Sequence, residues 1–184
     1  MEAFSDGVIA IIITIMVLEL RAPHDTSLNG LRPLLPVLGS YVMSFVFLGI
    51  YWSNHHHLLH ATEHIDGRAL WANLHLLFWL SLIPFVTAWM GENHFSQWPV
   101  ALYGCVLLCS AIAYSILVRA LLRTQGNSLL AAALGSDFKG KISMVIYLAA
   151  IPLSFVRPIV ALFIYISVAV MWLIPDRRIE RKIV

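Results

Sequence analysis

Charge is scarce in this chain. Asp, Glu, Lys and Arg make up 12% of its 184 residues against 60% hydrophobic, and the mean hydropathy is +0.82. That composition excludes an ordinary water-soluble domain, in which about a quarter of residues are charged. Cysteine is nearly absent too. Cys105 and Cys109, four apart in an apolar run, offer no disulfide framework and read as packing residues on one helix face. Met1-Glu2-Ala3 lacks the basic start of a secretory signal, so the first apolar segment is expected to stay in the mature protein. A net charge of +2, dispersed along the chain, gives no footprint for nucleic acid. No internal duplication or low-complexity tract is evident, and residues 1–184 read as a single transmembrane domain.

What is present is long apolar runs separated by short polar links. Hydropathy predicts an all-α, polytopic membrane protein with six spans, roughly 3–21, 34–59, 68–90, 97–119, 140–156 and 158–176. The uncharged core of the first, Gly7 to Leu18, is too short for a hydrocarbon layer roughly 30 Å thick, so the helix is expected to extend outward to Ala3 and Arg21. The last two spans share one long apolar stretch. Arg157-Pro158 is its natural break, because proline disfavours the helical conformation of the residue before it.

Basic residues orient this plan. On the side of both termini fall Arg68, Arg119, Arg123, Lys139, Lys141, Arg177, Arg178, Arg181 and Lys182, and on the other Arg21, Arg32 and Arg157. The asymmetry predicts cytoplasmic termini in a bacterial inner membrane. Trp89 and Trp98 flank the opposite turn, while Trp71 and Trp172 lie near the inner ends of their spans, as interfacial anchors do.

Within this topology the first helix carries an acid, Asp6, one turn inside a membrane span, and such a residue is a functional candidate by default. Asn54, His55, His56, His57 and His60 end the second span at the same depth, and Asn73 and His75 begin the third. A buried carboxylate needs donors. The expected arrangement is a hydrogen-bonded clamp joining helices one, two and three around Asp6, with a pH-responsive element as an alternative. Ser5 and Asp6 also suit an interfacial helix start. His56 and His60 have metal-ligand spacing, but no Cys or acid at fixed spacing completes a set, so neither a metal nor another cofactor is expected.

Projected at 100° per residue with Ile11 as zero, Leu18 lies at about −20°, Ile15 at about +40°, Gly7 at about −40° and Thr14 at about −60°, whereas Asp6 lies at about −140°. The aliphatic stripe and the acid thus face different surroundings. Lipid, a protein core or a symmetry axis shared with other subunits could each meet the stripe.

Phe4-Ser5-Asp6-Gly7, Ala10-Ile11, Thr14, Leu18-Glu19-Leu20, Trp52 and His55-His56 resemble the bacterial branch of the transmembrane protein 175 family of lysosomal-type potassium channels. The likeness covers the six-span plan and is motif-specific in the first two helices. The family signature places a basic residue four positions before its Phe-Ser-Asp, and here that position would precede Met1. The resemblance implies a homotetramer around the first helix. Ile11 would form the narrowest pore layer, Ile15 and Leu18 the next two, and Thr14 a polar position beside them. Phe4, Ser5 and Asp6 would pack against helices two and three. The chain lacks the Thr-Val-Gly-Tyr-Gly filter of ordinary potassium channels, so selectivity would arise otherwise.

The expected function is therefore passive, K⁺-preferring conduction through a hydrophobic constriction in the bilayer, with no catalysis. A proton-coupled ion transporter using Asp6 with His55, His56 and His57 is the rival reading, although it would more often show repeats and broken helices. A haem-binding redox enzyme is a further one, but its ligands would need to sit on facing helices.

Overall fold

A computed structural model describes residues 1–124 and 138–173. Among them the only regular elements are helices: α1 (Glu2–Leu18), a 3₁₀ segment (Leu28–Leu34) leading into α2 (Leu35–His60), α3 (Gly67–Ser81), α4 (Ile83–Glu92), α5 (Gln97–Arg123), α6 (Phe138–Leu153) and α7 (Pro158–Leu173). With α3 and α4 as two halves of one traverse, these make six spans. Leu28–His60, Gly67–Glu92 and Gln97–Arg123 have the length and apolarity to cross a bilayer, and Pro158–Leu173 is a shorter apolar helix. The basic residues 177–182 lie outside the described residues.

Three expectations are corrected. The first helix ends at Leu18 rather than Arg21: Leu20 N–H turns back to the Val17 carbonyl at 3.1 Å and Arg21 N–H to that of Glu19 at 3.0 Å. Its 17 residues give about 26 Å, near the lower limit for a span. The third span is interrupted at Leu82, where the Leu82 N–H bonds to the Trp79 carbonyl at 3.2 Å. Pro84 explains the break, since it has no N–H to offer Leu80 and its ring crowds that carbonyl. The fifth span, α6, ends at Leu153, before the predicted boundary. A turn through Ser154 to Arg157 then leads into Pro158, as the sequence suggests.

The long α5 forms the spine, packing on α3, α4, α6 and α7, while α1 lies at the edge of the bundle with its main contacts on α2, α3 and α4. Tyr103, Leu107, Leu117 and Leu121 on α5 are fully buried. The outer faces are apolar as well: Phe78, Phe85, Val145, Leu148 and Phe163 are all more than half exposed, which suits lipid and not water.

With lipid outside, burial of apolar surface drives helix association weakly, and small and polar contacts hold the bundle together. Ser44 Oγ lies 2.6 Å from Thr87 Oγ1 and 2.9 Å from Tyr103 Oη, joining α2, α4 and α5 in the interior. Near one end Trp172 Nε1 donates to Ser143 Oγ at 2.9 Å, tying α7 to α6. Gly91 lets α4 cross α2 closely, because a Cβ there would lie 2.7 Å from Val37 Cα.

Candidate functional site at the start of the first helix

The buried face of α1 is Ser5, Ile9, Ile12 and Met16, a run at the four- and three-residue spacings that stack on one side of a helix. Ser5, at its foot, is wholly buried and is held by a chain of hydrogen bonds. His55 on α2 and Asn73 on α3 meet at 2.7 Å between Nε2 and Oδ1. The Asn73 amide donates from Nδ2 to Ser5 Oγ at 2.9 Å, and the Ser5 hydroxyl donates to the Met1 carbonyl at 3.1 Å. Because Asn73 Oδ1 can only accept, the His55 proton sits on Nε2. Every bond in the chain then points the same way, from α2 through α3 to α1. His55 Nδ1 is buried without a hydrogen-bond partner among the described residues.

Asp6 is not the centre of this lock. Its Oδ1 accepts from the Trp52 indole of α2 at 3.0 Å, one residue and about 100° round the helix from Ser5, and among the described residues it bonds no histidine. Glu2, one turn earlier on the same face of α1, pairs instead with His56, with 3.0 Å between Oε1 and Nδ1. Neither Glu2 nor the Trp52 contact to Asp6 was anticipated, although Glu2 and Asp6 are four apart and must be neighbours on a helix.

The other expected members of the clamp lie off it. Asn54 Nδ2 donates to the Ile50 carbonyl of its own helix at 2.8 Å, and its main-chain carbonyl accepts from Tyr114 at 3.3 Å. His57 is exposed. His75 takes the Trp79 indole proton on its own helix at 2.9 Å. The reason is angular: consecutive side chains on a helix diverge by about 100°, so only one of three adjacent histidines can point inward. Phe4 is corrected likewise. It is 58% exposed, on the side of α1 away from helices two and three.

The aliphatic stripe lies on that same outer side. Ile11, Ile15 and Leu18 are 59%, 43% and 76% exposed, and Thr14 is exposed between them, its hydroxyl donating to the Ile11 carbonyl at 2.9 Å. One face of α1 is thus pinned by hydrogen bonds and core packing, and the opposite face is left exposed among the described residues.

Fold and site together define an integral membrane protein of six helical spans, whose first helix is locked to the second and third at one end and presents an apolar stripe outward. A family model described as endosomal/lysosomal potassium channel TMEM175 matches residues 1–84. A potassium channel of Chryseobacterium sp. (strain P1-3) is 53% identical over all of this chain and 96% of its own length, and one of Streptomyces collinus is 34% identical over 67% of this chain and 64% of its own. The solved structure of a lysosomal potassium-selective channel TMEM175 homologue from Chamaesiphon minutus superposes with a TM-score of 0.80 at 26% identity, covering 93% of both chains. The chain belongs to the TMEM175 family.

Proposed function

We propose that this protein is a potassium channel, a homotetramer that conducts K⁺ passively through a pore lined by four copies of α1. Rings of Ile11, Ile15 and Leu18 form the constriction, with Thr14 as the polar group beside it. Both termini face the cytoplasm of a bacterial cell, and residues 1–184 act as one channel domain in the bilayer, binding monovalent cations only in transit. Membership of a family whose bacterial relatives are named potassium channels supports the ion. The observation that carries the pore is the two-sidedness of α1, whose stripe is 43% to 76% exposed on a helix otherwise locked in place.

An apolar ring suits a gate because it offers a dehydrating ion no oxygen, so a narrow ring expels water and stops current, and widening by helix movement readmits both. The lock of Ser5, Asn73 and His55, with Asp6 on Trp52, would set the end of α1 about which such movement pivots. Reconstitution in liposomes, with K⁺ and Na⁺ flux measured side by side, tests the reading directly. K⁺ flux exceeding Na⁺ flux is expected, and flux in Ile11→Asn should rise while its K⁺ preference falls, because the amide keeps the constriction wet. Unchanged flux in that variant would remove Ile11 from the gate.

A further inference from the structure

We infer that Glu2, Asp6 and His56 form a binding site for a divalent transition-metal ion of the Zn²⁺ type, tying the first two turns of α1 to the last turns of α2. One ligating atom from each of the three residues lies within 4.8 Å of the others, and Glu2 Oε1 and His56 Nδ1 are already 3.0 Å apart. Ligands bound to Zn²⁺ at about 2.0–2.2 Å stand roughly 3.4 Å from one another in a tetrahedron, so side-chain movements of about an ångström complete the set.

The donors fit this class of ion. An imidazole with two carboxylates suits Zn²⁺ better than Mg²⁺ or Ca²⁺, which take oxygen, and two carboxylates balance the double charge. Three protein ligands leave a fourth position for water. Supporting groups hold the ligands in position. Trp52 donates to Asp6 Oδ1 at 3.0 Å, as outer groups orient metal-binding carboxylates. The His56 ring stacks on Trp52, with centroids 5.9 Å apart, and on His60 at 6.0 Å, which fixes its plane. Glu2 and His56 are each about two-fifths exposed, so an ion can enter from water. The acids that α2 lacks come from α1, and only folding brings them to the histidine.

Such an ion would brace α1 at its pivot, a consequence that rests on the pore reading, whereas the binding itself does not. Zn²⁺ titrated into the tag-free, detergent-solubilised channel, in competition with a chelating indicator, should bind at one per protomer. His56→Gln and Glu2→Gln should each weaken binding by about tenfold or more, with elution volume and helical content unchanged, and exposed His94→Gln, at the opposite end, should leave it as in the wild type. Substoichiometric binding, or wild-type affinity in both His56→Gln and Glu2→Gln, overturns the site. In liposomes Zn²⁺ should slow K⁺ flux in the wild type and spare His56→Gln. Stoichiometric binding with equal flux in both overturns the brace alone, and stoichiometric binding by a protein that conducts no K⁺ overturns the channel reading and not the site.

Discussion

Asn73 carries more of the lock than Asp6 does. The amide spends both of its ends inside the bundle, on His55 and Ser5, whereas Asp6 is only partly buried and makes one bond to an indole at the surface. Interhelical hydrogen bonds in membranes contribute about 0.6–2 kcal/mol each. Asn73→Ala should therefore lower stability by about 1–3 kcal/mol, because it breaks two such bonds and strands buried partners. Asp6→Ala should cost less and reduce assembly more than it alters K⁺ over Na⁺ preference. Thermal melts of both variants in one detergent check the order, and an Asp6→Ala protein less stable than Asn73→Ala would reverse it. The depth at which these groups gather is legible in the sequence, since it follows from counting residues along helices. Which of them touch is not. Ser5 and Asp6 differ by one position, and only the neighbours of α1 decide that the small hydroxyl faces α3 while the acid turns to the rim.

At the scale of elements, helix ends and crossings follow local rules that the sequence displays. Asp66 is one: its carboxylate accepts from the Ala69 N–H at 2.8 Å, capping α3. Asp66→Ala should destabilise by about 1 kcal/mol and Asp66→Ser by much less, because serine caps about as well. Comparing their melting midpoints tests the cap. Gly91 illustrates what local rules miss. Its place in a helix would favour alanine, yet Gly91→Ala should destabilise by about 1–3 kcal/mol through overpacking of Val37 and Ser40 across the α2–α4 contact, and a stabilised variant would show that the crossing yields. The interruption at Leu82 could have been read from Pro84, whereas the link from Ser44 to Thr87 and Tyr103 joins residues 43 and 59 positions apart. Small residues at Ser40 and Ser44 in an apolar span hint at a close helix contact, but not at its partner.

For the whole molecule, the question is what covers the outer face of α1. Packing around a fourfold axis predicts a particle of four times the 20.6 kDa protomer, measurable by light scattering with the detergent contribution subtracted. It also predicts that Ile11→Cys, on a background with Cys105 and Cys109 replaced by serine, forms covalent dimers under mild oxidation. Cysteine at Val145, 65% exposed on α6, should not. Cross-linking through Val145 in place of Ile11 would turn the protomer round and put another helix at the axis.

Hydropathy and spacing alone determined that this chain lives in a membrane, that it crosses six times, and that the first helix has two unlike faces. Those properties depend on how residues follow one another, through the rise and turn of a helix and the thickness of a bilayer. Tertiary structure alone decided that Ser5, His55 and Asn73 form the lock, that Asp6 binds Trp52, and that Glu2 comes to His56. A hydrogen bond acts over about 3 Å, and no pattern along a single helix specifies to that precision which side chain of another helix stands opposite.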